Sequence, residues 1–173
     1  NCPMPPIARP LDAITEADII ELRDNRVPED RYLDYKRDAI GNSDADKKEF
    51  LKDVSAFANA AGGDLLLGVD DASGVPTAIV GLPGVDTDKE VQRLDNMIRT
   101  AIEPRIVGCH VRSVPLASGQ PVIVVRVPRS WNPPHRVRFA GWNKFFVRNS
   151  NGAHEANVEE LRAMFSAQSE MES

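Results

Sequence analysis

Cysteine is scarce in this chain of 173 residues: there are two, Cys2 and Cys109. Two such distant thiols build neither a disulfide framework nor a metal-ligand cluster, so Cys109 is expected to be an ordinary strand residue and Cys2 part of a loose tail. A reduced, cytoplasmic compartment is the matching expectation. The histidines, His110, His135 and His154, are equally sparse and lack the spacing of a metal motif. No apolar run is long enough to span a bilayer, so no membrane partner is expected. The opening NCPMPPIARP has neither the basic nor the apolar region of a secretory leader. Gly62-Gly63 is not followed by the Gly-Lys-Ser/Thr of a phosphate-binding loop, which leaves nothing to support a P-loop nucleotide hydrolase. Lys and Arg (21) are outnumbered by Asp and Glu (26), and a net charge of -5 argues against a general affinity for phosphate.

What is present is organised around Ser43–Asp71, SDADKKEFLKDVSAFANAAGGDLLLGVDD. Ser43 with Asp46 resembles a capping box, and Phe50, Val54, Phe57 and Ala61 recur at helical spacing, so a helix is expected from Ser43 to Ala61. Gly62-Gly63 stops it. Leu65–Val69 is continuously apolar, as in a strand covered on both faces. Asp70 and Asp71 follow where that strand must emerge.

On either side the pattern is α+β. Thr15 caps a short helix whose Ile14, Ile19 and Leu22 face the body. The second half of Glu29–Lys36 reads as a strand, with Tyr32, Asp34 and Lys36 on one face. Val75–Val80 completes a hairpin, and Thr87 with Glu90 opens a helix carrying Val91, Leu94, Ile98 and Ala101. Ile106–Leu116 and Pro121–Val127 read as a strand pair, Trp131–His135 as a loop, Lys144–Arg148 as a strand and Asn149–Gly152 as a turn. A last helix begins at Asn157 with Val158, Leu161 and Phe165 as its buried stripe. The expectation is a single α+β domain, a mostly antiparallel mixed sheet with helices packed on it. Residues 1–28 form an arm and short helix, 29–167 the domain and 168–173 a tail.

Two sets of residues point to chemistry. Glu29 and Asp34 flank the first strand and Asp70 ends the central one. Converging carboxylates make a hard oxygen site suited to Mg²⁺ or Mn²⁺, with Lys36 placed to stabilise charge on a phosphate. Asp71 is the alternative to Asp70, because strand side chains alternate. Against this stands the reading of strand-end acids as solvated turn residues. The second set is basic. From Arg99 to Arg148 the only acid is Glu103. Within this stretch, beyond Arg129, the aromatics Trp131, Phe139, Trp142 and Phe145 interleave with Arg136, Arg138, Lys144 and Arg148, and His135 lies in the Pro-rich loop. Aromatics between cations suit stacking of unpaired bases beside phosphate contacts. The competing view is a core of aromatics with arginines turned to solvent.

KDVSAFANAAGGDLLLGVDD, followed by GVPTAIVGL, resembles the core signature of the Schlafen-type AlbA domain, and the likeness runs from about Glu29 to Leu161. Its members are nucleic-acid binders, and the animal Schlafens include metal-dependent endoribonucleases. The resemblance implies that Glu29, Asp34 and Asp70 match the family's catalytic acids and metal ligands, and that Lys36 matches the lysine of its Glu-Phe-Lys triplet. Asp34 departs from the family's Glu, one methylene shorter. The implied function is a Mg²⁺- or Mn²⁺-dependent endoribonuclease on structured, tRNA-like RNA, RNA being favoured over DNA. The alternatives are a non-catalytic DNA- or RNA-binding module and, third, an oligomerisation domain. Two lobes enclose a groove in animal Schlafens, which implies a homodimer for a chain with one such unit.

Overall fold

The computed structural model describes residues 8–172. Cys2 and the first part of the expected N-terminal arm lie outside them. A 3-10 turn at Leu11–Ala13 leads into α1 (Glu16–Asp24), where the Asp18 carboxylate accepts the Thr15 backbone N–H at 2.9 Å. After β1 (Leu33–Lys36) comes α2 (Asp44–Asn59), started by Ser43, whose Oγ accepts the Asp46 N–H at 3.0 Å. Gly62 has φ of 78°, and a Cβ there would lie 2.6 Å from the Arg129 backbone nitrogen. Only glycine makes that turn and that approach together.

The chain then forms β2 (Gly63–Leu67), β3 (Val69–Ala72) and β4 (Val75–Ile79), followed by α3 (Thr87–Ala101). The remaining elements are β5 (Ile102–Glu103), β6 (His110–Pro115), β7 (Pro121–Val127), β8 (Arg136–Phe139), β9 (Trp142–Asn149), β10 (Gly152–Glu155) and α4 (Val158–Glu172). One sheet has the order β1-β2-β7-β6, with β1 parallel to β2 and the other pairs antiparallel. A second, antiparallel throughout, has the order β10-β9-β8-β5. β3 and β4 form a separate hairpin. The fold is the expected α+β arrangement with a mixed, mostly antiparallel sheet.

β2 is central and its leucines are fully buried. Period-2 alternation divides them: Leu65 and Leu67 join the core under α2 and α3, while Leu66 joins the smaller core of Ile14, Ile19, Leu22, Leu33 and Tyr35. The same alternation turns Asp34 and Lys36, between and beyond Leu33 and Tyr35, toward α2.

Several expectations need correction. The strand read as Leu65–Val69 is cut at Gly68, whose φ of 106° turns Val69 into the β3–β4 hairpin. Asp86, not Thr87, caps α3, accepting the Lys89 N–H at 3.2 Å. The stripe expected on α4 is not a buried one: Val158 and Phe165 are exposed and Met164 is buried instead. β5, β8 and β10 were not anticipated, being two to four residues long.

Candidate functional site

A cavity of about 570 Å³ opens between the ends of β1, the β3–β4 hairpin and the turn after β9. Glu29, Asp34, Lys36, Asp71 and Arg148 line it. Glu29 arrives there because its backbone N–H bonds the Gly74 carbonyl at 2.8 Å and its Oε1 accepts the Tyr35 N–H at 3.1 Å. Asp34 and Lys36 arrive by strand alternation. Asp30 and Asp71 are the other acids of the cavity, and Asp70 does not line it. The register slips between Asp70 and Asp71, and such a bulge re-aims the side chains around it. Asp71 Oδ2 then accepts the Gly74 N–H at 2.9 Å, while Asp70 Oδ1 accepts the N–H of Asp71. Sequence periodicity has no means of seeing the slip.

The electrostatics are tightly coupled. Burial, reinforced by a hydrogen bond and the charge of Asp34 and by the charge of Asp71, pushes the Glu29 carboxyl up to about 7. Burial pushes Asp53, on α2, up to about 6, although Lys36 opposes the rise. Lys36 Nζ lies 3.3 Å from Asp53 Oδ2, yet that oxygen receives no aligned hydrogen bond, so the pair is an ionic contact rather than a directional one. Burial lowers the pKa of Lys36, but Asp53 and Asp34 outweigh it and leave the ammonium more firmly charged than usual. Arg148 Nη1 donates to Asp34 Oδ2 at 3.2 Å from a side chain that is 3% exposed.

These acids do not, as they stand, fit a divalent ion. Among the described residues no group of three or more His, Cys, Asp or Glu side chains is arranged to hold a metal. One Asp34 oxygen is taken by an arginine, and burial beside Asp34 makes Glu29 harder to ionise than an ordinary carboxyl.

The basic residues do not gather as one face. In the β8–β9 register Arg136 lies opposite Phe145 and Arg138 opposite Asn143, whereas Lys144 lies opposite the buried Val137. Directly opposed residues share a face. Arg136 and Arg138 therefore point one way, and Lys144 and Arg148 the other, toward α2. Lys144 Nζ sits 5.0 Å from the Trp142 ring centre, and Arg148 is buried over the Phe57 ring at 4.3 Å. Arg129 is exposed but lines a different cavity, with Tyr32 and Gly62. His135 is fully buried. Its Nδ1 bonds the Pro104 carbonyl at 2.6 Å and so carries the proton, which makes Nε2 the acceptor for Ser130 Oγ at 2.6 Å. Burial keeps the imidazole neutral by lowering its pKa. It is a latch for the loop before β8, not a group facing a ligand.

Arg136 and Arg138 both reach Glu103, at 2.9 and 3.8 Å. Beside them a cavity of about 440 Å³ is lined by Arg99, Arg105 and Arg138, with Glu103 as its acid. Arg99 and Arg105 belong to the basic run seen in the sequence.

The profile of the Schlafen AlbA_2 family matches residues 29–157, from the first cavity acid to the start of α4. The chain belongs to that family. No curated protein matches it. Among solved structures, this Schlafen AlbA_2 domain is similar to the DIP2311 protein of Corynebacterium diphtheriae, with 17% identity and a TM-score of 0.57 over 88% of this chain. It spans 28% of that chain. It is also similar to the N-terminal domain of a Nitrosomonas europaea protein described as related to the ATP-dependent DNA helicase RecG. That likeness has 24% identity and a TM-score of 0.57, covering 84% of this chain and 94% of the other. Both likenesses concern the fold.

Three buried polar side chains of this Schlafen AlbA_2 domain escape a sequence reading. Asp53 is hidden within a helix, and only its i−3/i+4 relation to Phe50 and Phe57 marks it as facing inward. Asn59 donates to the His135 and Phe146 carbonyls at 2.9 and 2.8 Å and accepts the His135 N–H at 2.7 Å, joining α2 to the second sheet. Asp64, fully buried, pairs with Arg126 across β2 and β7 at 2.9 Å.

Proposed function

We propose that this Schlafen AlbA_2 domain is a nucleic-acid-binding module that contacts phosphates through Arg99, Arg105, Arg136 and Arg138. The observation that carries this is the second cavity: three arginines from separate segments, the last turn of α3, the residue after Pro104 and β8, line one concavity holding a single carboxylate. Guanidinium forks match phosphate oxygens in geometry and charge, and a protein of net negative charge needs such local concentration to hold a polyanion. A hydrogen bond from Arg136, helped by the charges of Arg136 and Arg138, holds the Glu103 carboxyl below the usual range. Membership of the family and the helicase-related neighbour support the same partner class.

The family resemblance favours RNA and adds metal-dependent cleavage. Four carboxylates and a lysine around one cavity speak for that finer reading. Their engagement with Arg148, Tyr35 and a proton speaks against it, so cleavage is left out of the proposal.

Fluorescence anisotropy at low salt with a labelled RNA hairpin and a duplex DNA tests the binding. Reversal of Arg105→Glu with Arg138→Glu is expected to weaken both by tenfold or more, on the order of one lost charge-assisted contact each. Unchanged affinity in the double variant refutes the face. An RNA product that forms with Mn²⁺ and not with chelator replaces this reading with the nuclease.

A further inference from the structure

Asp34 and Arg148 form the most buried ion pair of the acidic cavity, and the arginine is committed well beyond that pair. Its Nε and Nη2 donate to the Asp30 carbonyl at 3.1 and 3.0 Å, and Nη2 also reaches the Leu33 carbonyl at 3.2 Å. Nη1 takes the Asp34 carboxylate. The guanidinium plane covers the Phe57 ring. The Leu33 carbonyl keeps the Asp30 N–H as a donor, but swinging the guanidinium away takes its hydrogen bonds from the Asp30 carbonyl and the Asp34 carboxylate in a closed setting, which is unfavourable.

We propose that the Arg148 guanidinium takes, in this domain, the place beside Asp34 that a divalent cation takes in a carboxylate metal site, and that Arg148 is what keeps such an ion out. Two arguments converge. An ion bound to Asp34 needs its oxygen at about 2.0–2.6 Å, and the guanidinium fills that approach with positive charge. The Lys36 side chain lines the same cavity and adds a second cation to the repulsion. Three further carboxylates, Glu29, Asp30 and Asp71, line the same cavity. Glu29 and Asp71 each give one oxygen to a backbone N–H, from Tyr35 and Gly74, and Glu29 also shares a hydrogen bond with Asp34. Removing the arginine therefore frees an Asp34 oxygen among four carboxylates and takes one cation from the cavity. This inference does not depend on nucleic-acid binding.

The test is Mn²⁺ titration of the whole chain, read by amide NMR line broadening at Tyr35, Lys36 and Gly74 and by melting temperature. The wild type is expected to show no site-specific broadening and no metal-dependent rise in melting temperature. Arg148→Gln is expected to gain both, with Mn²⁺ affinity raised at least about tenfold, and Arg148→Gln with Asp34→Asn to lose them again. Specific broadening in the wild type overturns the proposal, as does a folded Arg148→Gln that stays silent. Should Arg148→Gln fail to fold, Arg148→Lys carries the same test: an ammonium has no fork to span Asp34 and two carbonyls. Its Mn²⁺ affinity is expected to exceed the wild type's, and no increase overturns the proposal.

Discussion

Glu29 keeps its proton near neutrality because burial and two neighbouring carboxylates, Asp34 and Asp71, make its charge expensive. That fixes a sign for stability. The folded-state pKa of about 7 lies above the ordinary carboxyl value of 4.5, so the native chain binds the extra proton between those values. Stability from this group is present below pH 4.5 and is lost as pH rises to about 7. Asp53, raised to about 6, adds a decline of the same sign at lower pH. Glu29→Gln should flatten the fall and be more stable than wild type at about pH 8, on the order of 1 kcal/mol once solvent screening is allowed for. Urea melts at about pH 5 and 8 check it, and an unchanged slope in the variant means that Glu29 is not the titrating group. Arg148 makes a second test at this scale. Deleting one partner of a buried, multiply bonded charge is expected to cost ~3–5 kcal/mol. Arg148→Ala should therefore melt far below Arg138→Ala, whose side chain is 66% exposed. Equal losses in thermal denaturation contradict the buried assignment.

At the scale of elements, α2 and β2 hold the domain together, and the hinge between them is the point of least tolerance. Phe57 is fully buried beneath the Arg148 guanidinium, so Phe57→Ala should cost ~3–5 kcal/mol. A Cβ on Gly63 would meet the Phe57 ring at 2.4 Å and the Tyr32 carbonyl at 2.6 Å. Gly63→Ala should lose ~1–3 kcal/mol by overpacking, although alanine is otherwise tolerated in strands. A melt of Gly63→Ala that matches wild type excludes this contact. These two elements were also the most legible in the sequence, and for one reason. Long, regular spacing of Phe50, Val54 and Phe57 and an unbroken leucine run are periodic signals, and periodic signals depend on local chain geometry alone. β1's alternation likewise put Asp34 and Lys36 on one face before any partner was known. What escaped depends on pairing between distant segments. The bulge that brings Asp71 in place of Asp70 exists only relative to β4. The separation of Arg136 and Arg138 from Lys144 and Arg148 follows from the β8–β9 register, in which Val137 faces Lys144. Arg148, which the sequence places among the phosphate-contacting cations, is laid by the fold against Asp34 and Phe57.

Across the whole molecule, charge is segregated rather than balanced. The acids at Glu29, Asp34, Asp53 and Asp71 outnumber Lys36 and Arg148, so this cavity offers a polyanion no attraction. The arginines around Glu103 exceed their acid. A chain of net charge -5 that binds nucleic acid must do so through few contacts, and that bounds how binding responds to salt. If Arg99, Arg105, Arg136 and Arg138 each neutralise one phosphate, the logarithm of affinity should fall with the logarithm of salt at a slope between about -2.8 and -3.6, each phosphate contributing roughly 0.7 to 0.9. Arg105→Ala with Arg138→Ala should halve that slope, whereas Lys144→Ala, on the opposite face of β9, should leave it alone. Phosphate contacts carry no sequence information, so unrelated sequences of one strand type should bind within a few-fold of each other. Anisotropy titrations from about 20 to 200 mM salt measure all three quantities. A slope that Lys144→Ala lowers as much as the arginine pair does would mean that the polyanion wraps over the α2 side as well, and the arginine cavity would then be one edge of the interface instead of its centre.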